Sequence, residues 1–449
     1  MKDKSTSKFN SFMEHYLMPV AAKLGAYQPL IAIRDGITLA MPLIIVGSFF
    51  MILGSFPVVA WTDWITNTAS NGTSIADVFN KITNGSFGLL GLIGTFGIAS
   101  SFAEQHHTDG KSAGIIAVAS YFVVTPSVMS AAKVPLEGMP YGYLGSKGLF
   151  IGIIIGLLTG WIFQWFINHN IQIHLPDTVP PAVAQSFSAL IPGAVIIALF
   201  GLVYAIFAWA NWGNVHDLLL NVFATPLGLL SDTLGGTIVA ILLNSCFWFV
   251  GIHGANVINN IIQPLWLMNT DDNRLLLKAG HLDIAHGGHI ITQSFIDNFV
   301  YMGGGGATLG LVLALGIIVA THRASKQSTL LAPLTITPGL FNINEPTMFG
   351  LPVVLNTTII IPFIVAPIVN AIITYGAMAS GIVPLGTGAV IPWTMPPIIS
   401  GFLATNSING SLLQIVNIII DILLYFPFML SLNNQQKLAE DSEQKASKN

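Results

Sequence analysis

From residue 31 to residue 431 the chain runs through nine apolar stretches of bilayer length: 31–57, 84–103, 112–131, 148–167, 190–210, 236–253, 303–322, 350–376 and 407–431. A helix needs about 20 mostly apolar residues to cross the hydrocarbon core of a membrane. This pattern excludes most folds at once, because lipid offers no hydrogen bonds and only helices or closed barrels satisfy their own backbone there. The expected fold class is therefore all-α and polytopic. Charge confirms the constraint: only 8% of residues are charged, against about a quarter in soluble domains. Most of the outer surface must face lipid.

Four further stretches, 217–231, 283–300, 328–343 and 380–403, are apolar but interrupted. They carry Pro333, Pro338, Pro384, Pro392, Pro396 and Pro397, with Gly339, Gly386 and Gly388. Such segments read as broken or re-entrant helices. Non-helical backbone survives at membrane depth only where protein or water satisfies it, so a transport site belongs there.

The basic residues set the orientation. The N-terminal tail is Lys-rich, Arg323 and Lys326 flank one internal loop, and Lys437, Lys445 and Lys448 sit in the tail. All three are placed in the cytoplasm, which requires an even number of spans, about ten. Trp61 and Trp64 follow the first span as interfacial anchors would. Residues 1–28 lack the apolar core and small-residue cleavage site of a signal peptide. The net charge of −4 gives no reason to expect nucleic acid. The single cysteine, Cys246, lies inside an apolar run and reads as a small buried hydrophobe. Gly152, Gly156 and Gly160 are four apart, which allows close helix approach, either within the chain or across a dimer.

The costliest residue is Glu345, in Phe341-Asn342-Ile343-Asn344-Glu345-Pro346. A carboxylate in such a setting is tolerated where it faces a cavity and meets donors. Pro346 is expected to push Glu345 toward an extended conformation. Asn342 and Asn344 are expected to place amides beside it, a combination suited to sugar hydroxyls. A purely structural carboxylate is the alternative. A second constellation is Trp248-Phe249-Val250-Gly251-Ile252-His253-Gly254-Ala255-Asn256, where glycines flank a histidine at the end of an apolar run. Trp248 and, from another broken segment, Trp393 could stack on the C–H face of a sugar. Lys147 precedes a clear span and either snorkels to the interface or donates to substrate. Arg34 and Asp35 read as an anchor and local ion pair. His281, His286 and His289 lack a companion set that would complete a zinc tetrahedron, and no Walker-type phosphate loop occurs. No metal or cofactor is expected.

Several of these motifs resemble one family. Ala32-Ile33-Arg34-Asp35-Gly36, Met41-Pro42-Leu43, Leu175 to Val183, Gly251-Ile252-His253-Gly254, Asn342 to Pro346 and Pro392-Trp393-Thr394 look like the membrane (enzyme IIC) component of the bacterial sugar phosphotransferase system, in its lactose, cellobiose and diacetylchitobiose group. The resemblance runs from about residue 10 to 430. It implies about ten transmembrane helices plus two re-entrant hairpins. It divides the chain into a cytoplasmic segment 1–28, a scaffold and dimerisation half 29–232, a sugar-binding half 233–431 and a cytoplasmic tail 432–449. By match to the family's motifs, Glu345 and His253 hold the sugar at the hydroxyl to be phosphorylated. Trp248 and Trp393 flank it, and Asn344, Asn256 and Lys147 supply polar contacts. The phosphate would come from a phosphocysteine of a separate enzyme IIB, charged by enzyme IIA. Cys246 lies in the membrane run and cannot replace it, so IIA and IIB are expected as other chains.

The implied function is import of a β-linked disaccharide, of cellobiose, β-glucoside or diacetylchitobiose type, into a bacterial plasma membrane's cytoplasmic side with phosphorylation of its 6-hydroxyl. The chain is then one subunit of a phosphotransferase. A proton-coupled sugar transporter with Glu345 as proton carrier is the competing reading.

Overall fold

The structure is a computed structural model and describes residues 23, 26–56, 58–129, 137–176, 178–249, 254–321, 324–351, 353, 356 and 359–446. Among these residues it is helical almost throughout. The only strands are two short antiparallel pairs, Ala69–Ser70 with Thr73–Ser74 and Val128–Met129 with Glu137–Gly138.

The first half contains α1 (Gln28–Gly54), α2 (Ile75–Phe87), α3 (Leu90–Gln105), α4 (Gly110–Val124), α5 (Leu149–Asn168), α6 (Leu190–Ala210) and α7 (Val215–Ser231). The second contains α8 (Leu234–Phe249), α9 (Ala255–Lys278), α10 (Leu309–Ala320), α11 (Lys326–Leu340), α12 (Glu345–Gly350), α13 (Ile360–Ala379) and α14 (Ile408–Ala446). Polar caps mark where several begin. The side chains of Ser74, Asp109, Asn214 and Ser325 accept the free N–H groups that open α2, α4, α7 and α11.

Six helical stretches are long and apolar enough to cross a membrane: Gln28–Gly54, Ile75–Gln105, Ser146–Asn168, Pro181–Ala210, Ile360–Ala379 and Ile408–Leu438. Gly110–Val124, Leu234–Trp248 and Leu309–Ala320 are apolar but shorter. Large apolar side chains also point outward: Leu202, Trp209 and Leu423 are all more than half exposed. A water-soluble surface would not carry such a density of them, whereas lipid accepts it without cost.

The stretch 254–278 is not one of the apolar runs, yet it forms the 24-residue helix α9. Its Asn269, Thr270, Asp271, Asn273 and Arg274 are all buried. Protein, not lipid, surrounds these polar side chains. Asp271 accepts from Arg274 at 2.7 Å and from Ser146 Oγ. Arg274 also donates to Asn84 Oδ1 at 3.1 Å. A helix satisfied this way needs no apolar run.

The glycine ladder works inside the chain. A Cβ on Gly156 would lie 2.8 Å from Ile98 Cβ, and one on Gly160 would lie 2.9 Å from Phe102 Cβ. Gly152 faces Thr95 and Gly91 in the same way. All are residues of α3, so α5 uses these glycines to approach α3 and not a second copy. On its other side α3 meets α1, where a Cβ on Gly97 would lie 2.7 Å from Gly36 Cα. Leucine at position 156 has no room. Gly156→Leu should cost about 1–3 kcal/mol of overpacking strain, read as a lower melting temperature in detergent. A melting temperature equal to wild type would contradict this packing.

Candidate sugar-binding cavity

The second half is where helices break. A π-helical turn spans Phe295–Val300, and the chain between it and α10 passes through Gly303, Gly304 and Gly306, all at positive φ. The stretch 283–300 is broken as its interrupted pattern predicts, and of the predicted span 303–322 only the later part, α10, is an α-helix. Broken backbone leaves carbonyls without partners, and here α13 and α14 supply them. Gln414 Nε2 donates to the Asn298 carbonyl at 2.7 Å. Asn417 donates to the Phe299 carbonyl and Asn370 to the Val300 carbonyl, each at 3.4 Å. The Tyr425 hydroxyl donates to the Gly306 carbonyl at 2.6 Å. Gln414, Asn417, Asp421 and Tyr425 thus form a buried polar stripe on α14, and Asp421 accepts from Asn370 at 2.9 Å. Satisfied in this manner, the break persists at membrane depth.

The break frames a cavity of about 380 Å³, a size typical of small-molecule sites. Glu345, Asn344, Trp248 and Trp393 all line it. They come from three separate segments of the sequence, with Asn344 and Glu345 adjacent in one of them. Glu345 and Trp393 are exposed, Trp393 by 53%, whereas Trp248 is buried among Phe363, Met348 and Leu311. The glycine loop lies against the same side chains. A Cβ on Gly305 would come 2.5 Å from Trp248 Nε1, and one on Gly304 would come 2.7 Å from Asn344 Cγ. Only glycine allows both approaches, and Gly304, at φ +96°, also needs it for its backbone.

Two local expectations are corrected. Pro346 does not hold Glu345 extended. Glu345 opens helix α12 with Pro346 in its first turn, where a missing N–H costs nothing. Asn342 does not offer its amide to the carboxylate. Its Oδ1 accepts from the Gly303 N–H at 2.6 Å, and its Nδ2 donates to the carbonyls of Trp393 at 2.6 Å and Met395 at 3.1 Å. It clips the glycine loop to the tryptophan segment. Asn344 Nδ2 likewise donates to the Gly305 carbonyl at 3.1 Å.

Lys147 is not among the lining residues. It forms an ion pair with Asp272 at 3.3 Å, beside His289, whose ring lies 3.0 Å from Asp232. Asn256 stands in the first turn of α9, next to Ala255, which lines the cavity. His253 lies outside the described residues. Arg34 and Asp35 form the expected local pair at 2.8 Å. In the exposed turn after α9, His286 donates to Asp283 at 2.8 Å, and these hydrogen bonds hold the Asp283 carboxyl below its ordinary range.

Sequence reading missed part of the lining. Asn259 and Gln263 come from α9, and Gln293, Asp297 and Tyr301 come from the broken segment. Asp297 carried the same signal as Glu345, a carboxylate in the apolar run Ser294-Phe295-Ile296-Asp297-Asn298-Phe299-Val300.

Comparison with known proteins decides the family. The profile of the family described as Phosphotransferase system, EIIC matches residues 34–367. The chain belongs to the EIIC family. It is 39% identical to the putative permease IIC component YwbA of Bacillus subtilis over 99% of both chains. It is 37% identical to the lichenan permease IIC component of the same organism, over 97% of this chain and 96% of the relative. The cellobiose-specific EIIC component of Geobacillus stearothermophilus is 39% identical, again over 97% and 96%. The crystal structure of ChbC, the IIC component of the N,N'-diacetylchitobiose-specific phosphotransferase system, superposes with a TM-score of 0.88 at 34% identity, over 96% of this chain and 99% of that one. This chain is thus a membrane-spanning sugar permease component of a phosphotransferase system. EIIC components act with IIB and IIA partners, and some relatives join IIC to IIB. One is the lactose-specific EIICB component of Staphylococcus haemolyticus, 30% identical, of which this chain covers 68%.

Proposed function

We propose that this EIIC protein imports a β-linked disaccharide of the cellobiose or diacetylchitobiose type and presents its 6-hydroxyl to the phosphocysteine of a separate IIB protein. The observation that carries the reading is the convergence of Glu345, Asn344, Trp248 and Trp393 on one cavity beside a broken helix. Indole faces suit the C–H face of a pyranose, and carboxylate and amide groups suit its hydroxyls. The names of the relatives support the substrate class.

In this mechanism Trp248 and Trp393 flank the sugar. Glu345 accepts a hydrogen bond from the 6-hydroxyl and orients it, since phosphoryl transfer depends mainly on positioning and electrostatics. His253, assigned by the family motif, stabilises charge on the transferring group. The bond from the IIB cysteine sulfur to phosphorus breaks as the bond from the sugar O6 to phosphorus forms. The thiolate stays on IIB, and the hydroxyl proton passes to Glu345 or to water. The anionic product cannot return through lipid.

The division into a scaffold half, 29–232, and a sugar-binding half, 233–431, fits the cavity, because among the described residues Met41 is its only lining residue from before 233. The scaffold is assigned the dimer contact, and the chain about ten spans with both termini in the cytoplasm of a bacterial cell.

Reconstituted vesicles test the reading. Sugar phosphate should form and accumulate only when phosphorylated IIB is supplied on the cytoplasmic side. Accumulation of unmodified sugar under a pH gradient alone would overturn it in favour of proton-coupled transport.

A further inference from the structure

The cavity contains a second carboxylate, and it already has an amide companion. Gln293, Asp297 and Tyr301 stand four residues apart and all face the cavity. Gln293 Nε2 donates to Asp297 Oδ2 at 2.8 Å. That bond uses one oxygen of a carboxylate that can accept about four. Gln293 is itself only 2% exposed, and its Oε1 is buried with no hydrogen-bond partner among the described residues. A buried acceptor left unsatisfied is costly, and a carboxylate at membrane depth is costlier. Both are accounted for if a ligand rich in hydroxyl donors completes them.

We infer that Asp297 and Gln293 form a specificity-determining pair that reads sugar hydroxyls other than the one offered for phosphorylation. The inference rests on the cavity being the disaccharide site. The chemistry is that of two neighbouring hydroxyls on one ring. One donates to the Asp297 carboxylate and the next donates to Gln293 Oε1. The broken segment makes this possible. Its π turn is anchored through the carbonyls of Asn298, Phe299 and Val300, which fixes the backbone immediately after Asp297.

Titration calorimetry on the purified full-length protein tests the pair. Cellobiose, lactose and diacetylchitobiose first identify the sugar that wild type binds, and the mono-deoxy series of that sugar follows. Asp297→Asn should weaken binding of the parent sugar at least tenfold. For the one deoxy analogue that lacks the hydroxyl read by Asp297, wild type and Asp297→Asn should bind equally. Gln293→Leu, which leaves the carboxylate in place, should show the same pattern at a different hydroxyl and keeps the test open if Asp297→Asn does not fold. Parent-sugar affinity within twofold of wild type in either variant overturns the inference, as does an equal loss for every analogue, which marks a structural role. If Glu345→Gln loses binding while both of these variants keep it, only the pair fails. If wild type binds no β-linked disaccharide, the site reading fails and the pair falls with it.

Discussion

Glutamine at position 345 should weaken disaccharide binding at least tenfold and reduce phosphorylation by bound IIB at least a hundredfold. The substitution keeps shape and size and removes the charge. A hydrogen bond to a charged group contributes about 1.5–3 kcal/mol, and each 1.4 kcal/mol is a factor of ten in affinity. The larger loss in rate follows because the hydroxyl must also be held in line for attack, and misorientation costs more in the transition state than in the bound state. Stability should change little, because Glu345 is exposed on the cavity wall at the start of α12. Calorimetric titration and transfer of labelled phosphate from phosphorylated IIB measure the two effects. Wild-type values in both would remove Glu345 from the site, and His253→Ala gives the parallel test for its proposed partner.

Much of this arrangement was legible in the sequence, because lipid makes polar residues conspicuous. Apolar runs placed α1, α5 and α6 to within a few residues, whereas α13 starts at Ile360 and not at 350, and α14 starts as expected but runs on past 431 to Ala446. Glu345, Trp248 and Trp393 stood out against apolar surroundings and do share one cavity. What stayed hidden depends on partners distant in sequence. Helix α9 is polar because α2, Ser146 and its own Asp271 satisfy it, and no window of its own residues reveals that. Asn342 sits beside Glu345 in sequence, yet its amide serves backbone 39 and 51 residues away. Lys147 likewise shows no sign in sequence of Asp272, its ion-pair partner. Local chemistry identified which residues are unusual, and only the fold decided whether each serves ligand or backbone.

Asn342 is where that distinction has the largest consequence for stability. Alanine there removes three hydrogen bonds, to Gly303, Trp393 and Met395, from a residue only 5% exposed. Side-chain hydrogen bonds within membranes average about 0.6 kcal/mol, and a buried donor left unsatisfied, here the Gly303 N–H, adds about 1 kcal/mol or more. Asn342 also has φ +61°, a left-handed conformation that costs alanine roughly 1–2 kcal/mol. Asn342→Ala should therefore destabilise the protein by about 3–5 kcal/mol. It should also loosen the cavity, since Trp393 and the glycine loop lose their common anchor. Glycine separates the two causes. Asn342→Gly accepts the left-handed backbone, so it should recover about 1 kcal/mol of stability over alanine while leaving sugar affinity as low as in the alanine variant. Thermal unfolding and titration on the same two variants read both quantities. If glycine restored affinity along with stability, the clip would not be what holds Trp393 at the cavity, and backbone strain alone would account for the loss.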